Sequence, residues 1–243
     1  VAADGSEFFS DIQQALNVAL PGATIWVEPG IYVGPYMLPQ HAVALRSTDG
    51  PAVTELLPPS ADARVMTIPN AGVGTLVEGF SMGGSTQMQE GGGLLLVDSA
   101  VTLRDCVFLN NLSTRGAGTM ITGRHSSGEP SRFEDCIWSG NVSNSEDLFT
   151  IGSGGGVCAL DAAIVLERCA FVENVAVSTG GGIYLAEGSD ATFTECLFER
   201  NESGTSGSAI TVLLAGVVEI TDTYFCGNVE LNGDFYSDIF GSN

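Results

Sequence analysis

The residues best suited to chemistry lie in two lengthened stretches. Residues 123–130 carry Arg124 and His125, the one adjacent pair of basic side chains, followed by Glu129. Residues 142–153 carry Glu146 and Asp147. A guanidinium, an imidazole and carboxylates lining one groove would suit a polysaccharide. Glycoside hydrolysis needs one carboxyl as acid and another as base or nucleophile. A lyase needs a base; the chain has no lysine, and an arginine would serve only with a strongly lowered pKa. Arg124, His125, Glu129, Glu146 and Asp147 are therefore the catalytic candidates if the protein is an enzyme. Arg124, His125, Glu146 and Asp147, with Tyr184 as an exposed aromatic, are the binding candidates if it is not. No Asn-Thr-Asp, Asp-Asp or Gly-His-Gly cluster occurs, and no nucleophile-elbow, P-loop or dinucleotide signature stands in a strand-to-helix setting. The balance therefore leans away from catalysis. A plain surface loop is the competing reading of both stretches.

Other chemistry-bearing residues fall into columns. Asp105, Asp135, Glu195 and Asp222 occupy one repeated position, with Arg168 in the remaining place. Stacked like charges repel. Arg168 or a Ca²⁺ ion, which binds several oxygens, would compensate, and solvated carboxylates are the simpler alternative. Ca²⁺ is the one cofactor suggested, and no Asp-x-Asp-x-Asp-Gly loop strengthens it. Cys106, Cys136, Cys169 and Cys196 share another position, and Thr223 takes it in the last repeat. Without Cys-x-x-Cys or histidine at ligand spacing, zinc is disfavoured. Buried free thiols packing as small hydrophobes are expected. Cys158 and Cys226 fall outside the column.

The columns exist because the chain repeats. Val101-x-Leu103-x-x-Cys106-x-Phe108-x-x-Asn111 recurs at Ser131–Asn141, Ile164–Asn174, Ala191–Asn201 and Val218–Asn228. A glycine-rich run precedes each block, as in Gly91-Gly92-Gly93 and Gly180-Gly181-Gly182. The periods suit a solenoid. Each repeat reads as three short strands: the run after the glycines, the apolar-x-apolar segment, and Cys-x-Phe. Period-two alternation puts the apolar residues of each strand on one face. Three strands per coil, stacked coil on coil, make a parallel β-helix. Phe108, Trp138, Phe171, Phe198 and Phe225 then form an internal aromatic stack. Asn111, Asn141, Asn174, Asn201 and Asn228 form an amide ladder at a turn, each able to adopt a left-handed conformation. Three of these asparagines match glycosylation sequons, and the ladder is the preferred role. The glycines supply positive φ at the bend into the first strand.

The two ends differ from the middle. Ile12, Ala15, Leu16 and Ala19 make a helical stripe behind Ser10 or Asp11 as N-cap, and Pro21-Gly22 ends it. A helix there would cover the open first coil. Residues 23–90 read as irregular early coils, 91–228 as regular repeats and 229–243 as a tail without strand rhythm. About eight coils, or ~40 Å of rod, are expected. The missing C-terminal cap fits equally a complete chain and a domain cut from a longer surface protein.

Composition narrows the partners. The 243 residues carry 29 acids and 8 bases, for a net charge of −21. Nucleic-acid backbones and anionic lipids need clustered cations, so both are disfavoured. No apolar run is long enough for a membrane-spanning helix. The first residues, Val1 to Asp4, have no basic and apolar leader pattern.

Ile12-Gln13-x-Ala15-Leu16 and Pro21-Gly22-x-Thr24-Ile25-x-Val27-x-Pro29-Gly30-x-Tyr32 resemble the opening of pectin-lyase-like right-handed parallel β-helix proteins. The Phe-x-x-Asn and Gly-Gly-apolar signatures over residues 91–228 resemble the repeats of bacterial polymorphic outer-membrane proteins, whose exposed regions act as adhesins. The expectation is an all-β, right-handed, single-stranded parallel β-helix with an N-terminal capping helix, forming one domain over residues 1–243. It would be extracellular or at a cell surface and non-catalytic, adhesin-like or structural. Its partner would be a glycan or surface protein on the strand-one face. The alternatives are a lyase, hydrolase or epimerase of acidic polysaccharide, and Ca²⁺-dependent self-association into a surface assembly.

Overall fold

The computed structural model describes residues 1–86, 90–144, 152–232 and 238–242. Among the described residues, short strands run coil after coil into four parallel sheets, three of eight strands and one of five. Sheet I holds the strands that follow the glycines, such as Leu94–Val97 and Thr119–Thr122. Sheet II holds Val101–Arg104 and its equivalents, and sheet III holds Val107–Leu109 and its equivalents. Register is set by the repeat: Phe108 pairs with Trp138, and Trp138 with Phe171. The solenoid makes about seven turns.

The interior is built as the alternation requires. Leu103, Phe133, Leu166 and Phe193 point inward from sheet II and have at most 1% of their surface exposed. The aromatic column of sheet III is a continuous stack. Centroid separations from Phe108 through Trp138, Phe171 and Phe198 to Phe225 run 5.1, 4.7, 4.6 and 5.2 Å, with rings within 13° of parallel. The cysteine column is buried and free of disulfides. Each of its thiols donates to a backbone carbonyl of the preceding coil, as Cys136 does to Leu103 at 3.6 Å. Thr223 continues the column because its hydroxyl, donating to the Thr221 carbonyl, accepts from the Cys196 amide.

Three details depart from the expected coil. A fourth sheet follows each asparagine, as two-residue strands at Leu112–Ser113, Val142–Ser143, Val175–Ala176, Glu202–Ser203 and Val229–Glu230. Two residues are too few for an alternation pattern, so only stacking reveals them. The left-handed residue at this corner is the one before the ladder asparagine: Asn110, Gly140, Glu173, Arg200 and Gly227 have φ between 50° and 64°. The asparagine itself turns inward to hydrogen-bond. The irregular early coils stack in register with the later ones, Ala44–Ser47, Thr54–Leu57 and Met66–Pro69 joining sheets II, III and I. In the tail, Val229–Glu230 extends sheet IV and Ile239–Ser242 extends sheet I.

The cap forms as the N-terminal stripe requires. Helix α1 spans Ile12–Val18, and the Asp11 carboxylate accepts from the Gln13 and Gln14 amides. Ile12, Ala15 and Leu16 are buried. The Gln13 side chain accepts from the Met37 amide and donates to its carbonyl, satisfying the first strand of sheet I.

Candidate functional site

Arg124 and His125 follow the sheet I strand Thr119–Thr122 and diverge along the solenoid axis. Arg124 reaches toward later coils, 2.9 Å from Asp190 and 3.3 Å from Asp161, and donates to the Gly188 carbonyl at 2.5 Å. The His125 ring faces the opposite way, toward Gly72 of an earlier coil, and its Nδ1 lies 2.7 Å from the Ser127 hydroxyl. Glu129 is exposed in the same loop. Its amide donates to the Ser127 hydroxyl at 3.2 Å. Arg124 is thus the clamp of two acidic turns. Glu146 and Asp147 lie outside the described residues.

Tyr184 stands on the outward row of sheet I, in register with Cys158, while Cys158 is in register with Met120. Tyr184 is half-buried, and Met120 and Cys158 have no exposed surface. Burial pushes the Cys158 thiol up to about 12, so it stays a neutral thiol.

The acidic column has an unequal arrangement. Arg168 chelates the carboxylate above it, with Nε 2.7 Å and Nη2 3.0 Å from Asp135. That bidentate contact holds the Asp135 carboxyl below the usual range. Among the described residues Asp105 has no such partner: partial burial, then the charges of Asp135 and Glu78, push its carboxyl upward. Glu195 and Asp222 are exposed at their turns. Among the described residues no three His, Cys, Asp or Glu side chains are grouped as a metal would require.

A cleft absent from the sequence-derived candidates lies beside Asp105. It encloses about 440 Å³ on the outer side of sheet II, between Trp26, Arg46, Asp49, Glu78 and Asp105. Trp26 points outward because Ile25 and Val27, its neighbours on Thr24–Val27, point inward. Half of it, 51%, is exposed. The Arg46 guanidinium sits 5.5 Å from its ring centroid and is held 2.6 Å from Glu78. An ion-pair ladder continues outward, with Arg104 3.9 Å from Glu78 and 2.7 Å from Glu134. The Ser47 hydroxyl accepts from the Asp49 and Gly50 amides at 3.2 and 3.0 Å, shaping the loop that walls the cleft. The part of the indole that Arg46 leaves exposed can pack on a sugar ring while the neighbouring carboxylates accept from its hydroxyls. The signal for this site was Trp26 at an outward phase of a strand in an acidic chain.

Residues 78–237, about two thirds of the chain, match the family described as the right-handed β-helix region. Several solved structures share the fold. A pectin methylesterase in complex with a hexasaccharide is 11% identical over 98% of this chain and 78% of that chain, with a TM-score of 0.59. Pectin methylesterase from Yersinia enterocolitica is 10% identical over 97% and 94%, with a TM-score of 0.54. Pectin methylesterase from carrot is 12% identical over 100% and 87%, with a TM-score of 0.53. At these identities the likeness is one of fold. No curated protein matches the chain.

Proposed function

The chain belongs to the right-handed β-helix family, and from that premise we propose that it is a non-catalytic glycan-binding module of a secreted or surface-displayed protein. The observation that carries this reading is the Trp26 cleft: a half-exposed indole with the Arg46 guanidinium over its ring, beside an Arg46–Glu78 ion pair and two further carboxylates. Such a surface is preorganised for a flat, hydroxylated ligand, because its side chains lose little freedom on binding. Glu78 is engaged by Arg46, and Arg124 is engaged by Asp161 and Asp190. These groups hold charge in place, as a binding surface needs. The resemblance of the repeats to those of bacterial surface adhesins supports display outside the cell.

The test is retention against depolymerisation. The protein is applied to immobilised neutral, amino and uronate polysaccharides, and the same polymers are assayed for reducing ends and for unsaturated-end absorbance. Retention without new ends, lost in Trp26→Ala, is the expected result. New chain ends on any polymer would replace this reading with an enzymatic one.

A further inference from the structure

Resting on the glycan-binding reading, we infer that the Trp26 cleft selects a glycan bearing free amino groups and rejects uronates. The lining sets three carboxylates, Asp49, Glu78 and Asp105, against the single guanidinium of Arg46. That guanidinium is already committed. It lies 5.5 Å from the Trp26 ring centroid, and its Nε and Nη2 both sit 2.6 Å from Glu78, so an incoming sugar carboxylate would meet a cation whose charge Glu78 already offsets. The other two acids are open to a cation. Asp49 accepts from the Thr48 hydroxyl at 2.7 Å, and among the described residues no basic group forms an ion pair with Asp49 or Asp105. Asp105 borders the loop at Gly50, where an added Cβ would sit 3.7 Å from its carboxylate oxygen. It therefore stands on the cleft wall, and its carboxyl is pushed upward by burial and by neighbouring negative charge. A ligand ammonium at this position would relieve that repulsion. The net charge of −21 adds a field that attracts amines and repels uronates from a distance.

The same field would draw any polycation, so the test uses short ligands and local variants. Binding of a glucosamine trimer, its N-acetylated counterpart and a galacturonate trimer is measured by calorimetry near neutral pH and low salt. The glucosamine trimer should bind about fivefold more tightly than the acetylated one, as expected for a partly exposed charge contact, and the galacturonate trimer should bind most weakly. Asp105→Asn should abolish the amine preference. Asp222→Asn, at the equivalent turn of the last coil and outside the cleft, should leave it intact. Trp26→Ala should weaken both neutral and amine ligands.

Equal binding of the amine and acetylated trimers, still dependent on Trp26, would overturn the amine selectivity and leave the glycan-binding reading standing. Amine preference that survives Asp105→Asn would mean general attraction to an acidic surface, and would overturn the assignment to the cleft. Tightest binding of the galacturonate trimer would overturn the inference outright. Absence of binding by all three, with retention on no polymer, would overturn the inference and the function together.

Discussion

A single buried asparagine in this protein satisfies as many groups as a short strand. Asn174 donates to the Trp138 carbonyl at 2.9 Å and to Asn201 Oδ1 at 3.0 Å, and its own Oδ1 accepts from the Asn141 amide and side chain. Replacing it with alanine strands partners on two neighbouring coils. Asn174→Ala should cost about 2–4 kcal/mol, read as a lowered denaturant midpoint. The two adjacent aspartates of the turn column should behave oppositely. The folded-state carboxyl of Asp135 is held low by Arg168, so its stabilising contribution is present above the unfolded value of about 3.9 and fades as pH falls through the folded value. The Asp105 carboxyl is raised instead, so its contribution is complete below about 3.9 and is lost as pH rises through the folded value. At neutral pH, Asp135→Asn should lower the thermal midpoint and Asp105→Asn should raise it, each by no more than about 2 °C because both sites are open to solvent. Melting each variant at neutral and acidic pH checks the signs.

At the scale of elements, the glycine runs and the helical cap decide whether coils can stack. The third glycine of a run, Gly156, does not have positive φ; its constraint is space. A Cβ there would lie 2.6 Å from the Gly182 carbonyl oxygen and 3.0 Å from the Phe171 ring. Gly156→Ala should therefore destabilise by about 1–3 kcal/mol through forced separation of sheet I from the aromatic stack. The first glycine, Gly154, is needed for a different reason, its φ of 67°. At the N-terminal end, Leu16 of α1 is buried over the first coil. Leu16→Asp should loosen the helix and expose strand edges, producing concentration-dependent oligomers in size-exclusion chromatography with light scattering. An unchanged monomer of unchanged melting temperature would show that the helix is not the cap.

On the scale of the whole molecule, charge works against compactness. A net charge of −21 on 243 residues repels itself, and the existing ion pairs, such as Arg46–Glu78 and Arg168–Asp135, offset it locally. Raising salt screens the long-range repulsion more than those short contacts. The melting temperature should therefore rise by a few degrees between low and high salt, and a fall would place the ion pairs above the repulsion. The parallel solenoid, the aromatic stack, the buried thiols and the amide ladder were all legible in the sequence, because each is one residue type returning at one position of a repeat. Stacking turns such a return directly into contact. The capping helix was legible for a similar reason, its apolar stripe being local. The fourth sheet was not, since two-residue strands have no periodicity to read. Nor was the divergence of Arg124 and His125, neighbours in the chain that reach in opposite directions along the axis. The sequence marked Trp26 and Asp105 singly, but their meeting in one cleft belongs to tertiary structure. Trp26, Arg46, Glu78 and Asp105 come from four successive coils of unequal length, so no spacing links them. Only the winding of those coils brings an indole, a guanidinium and three carboxylates to one wall.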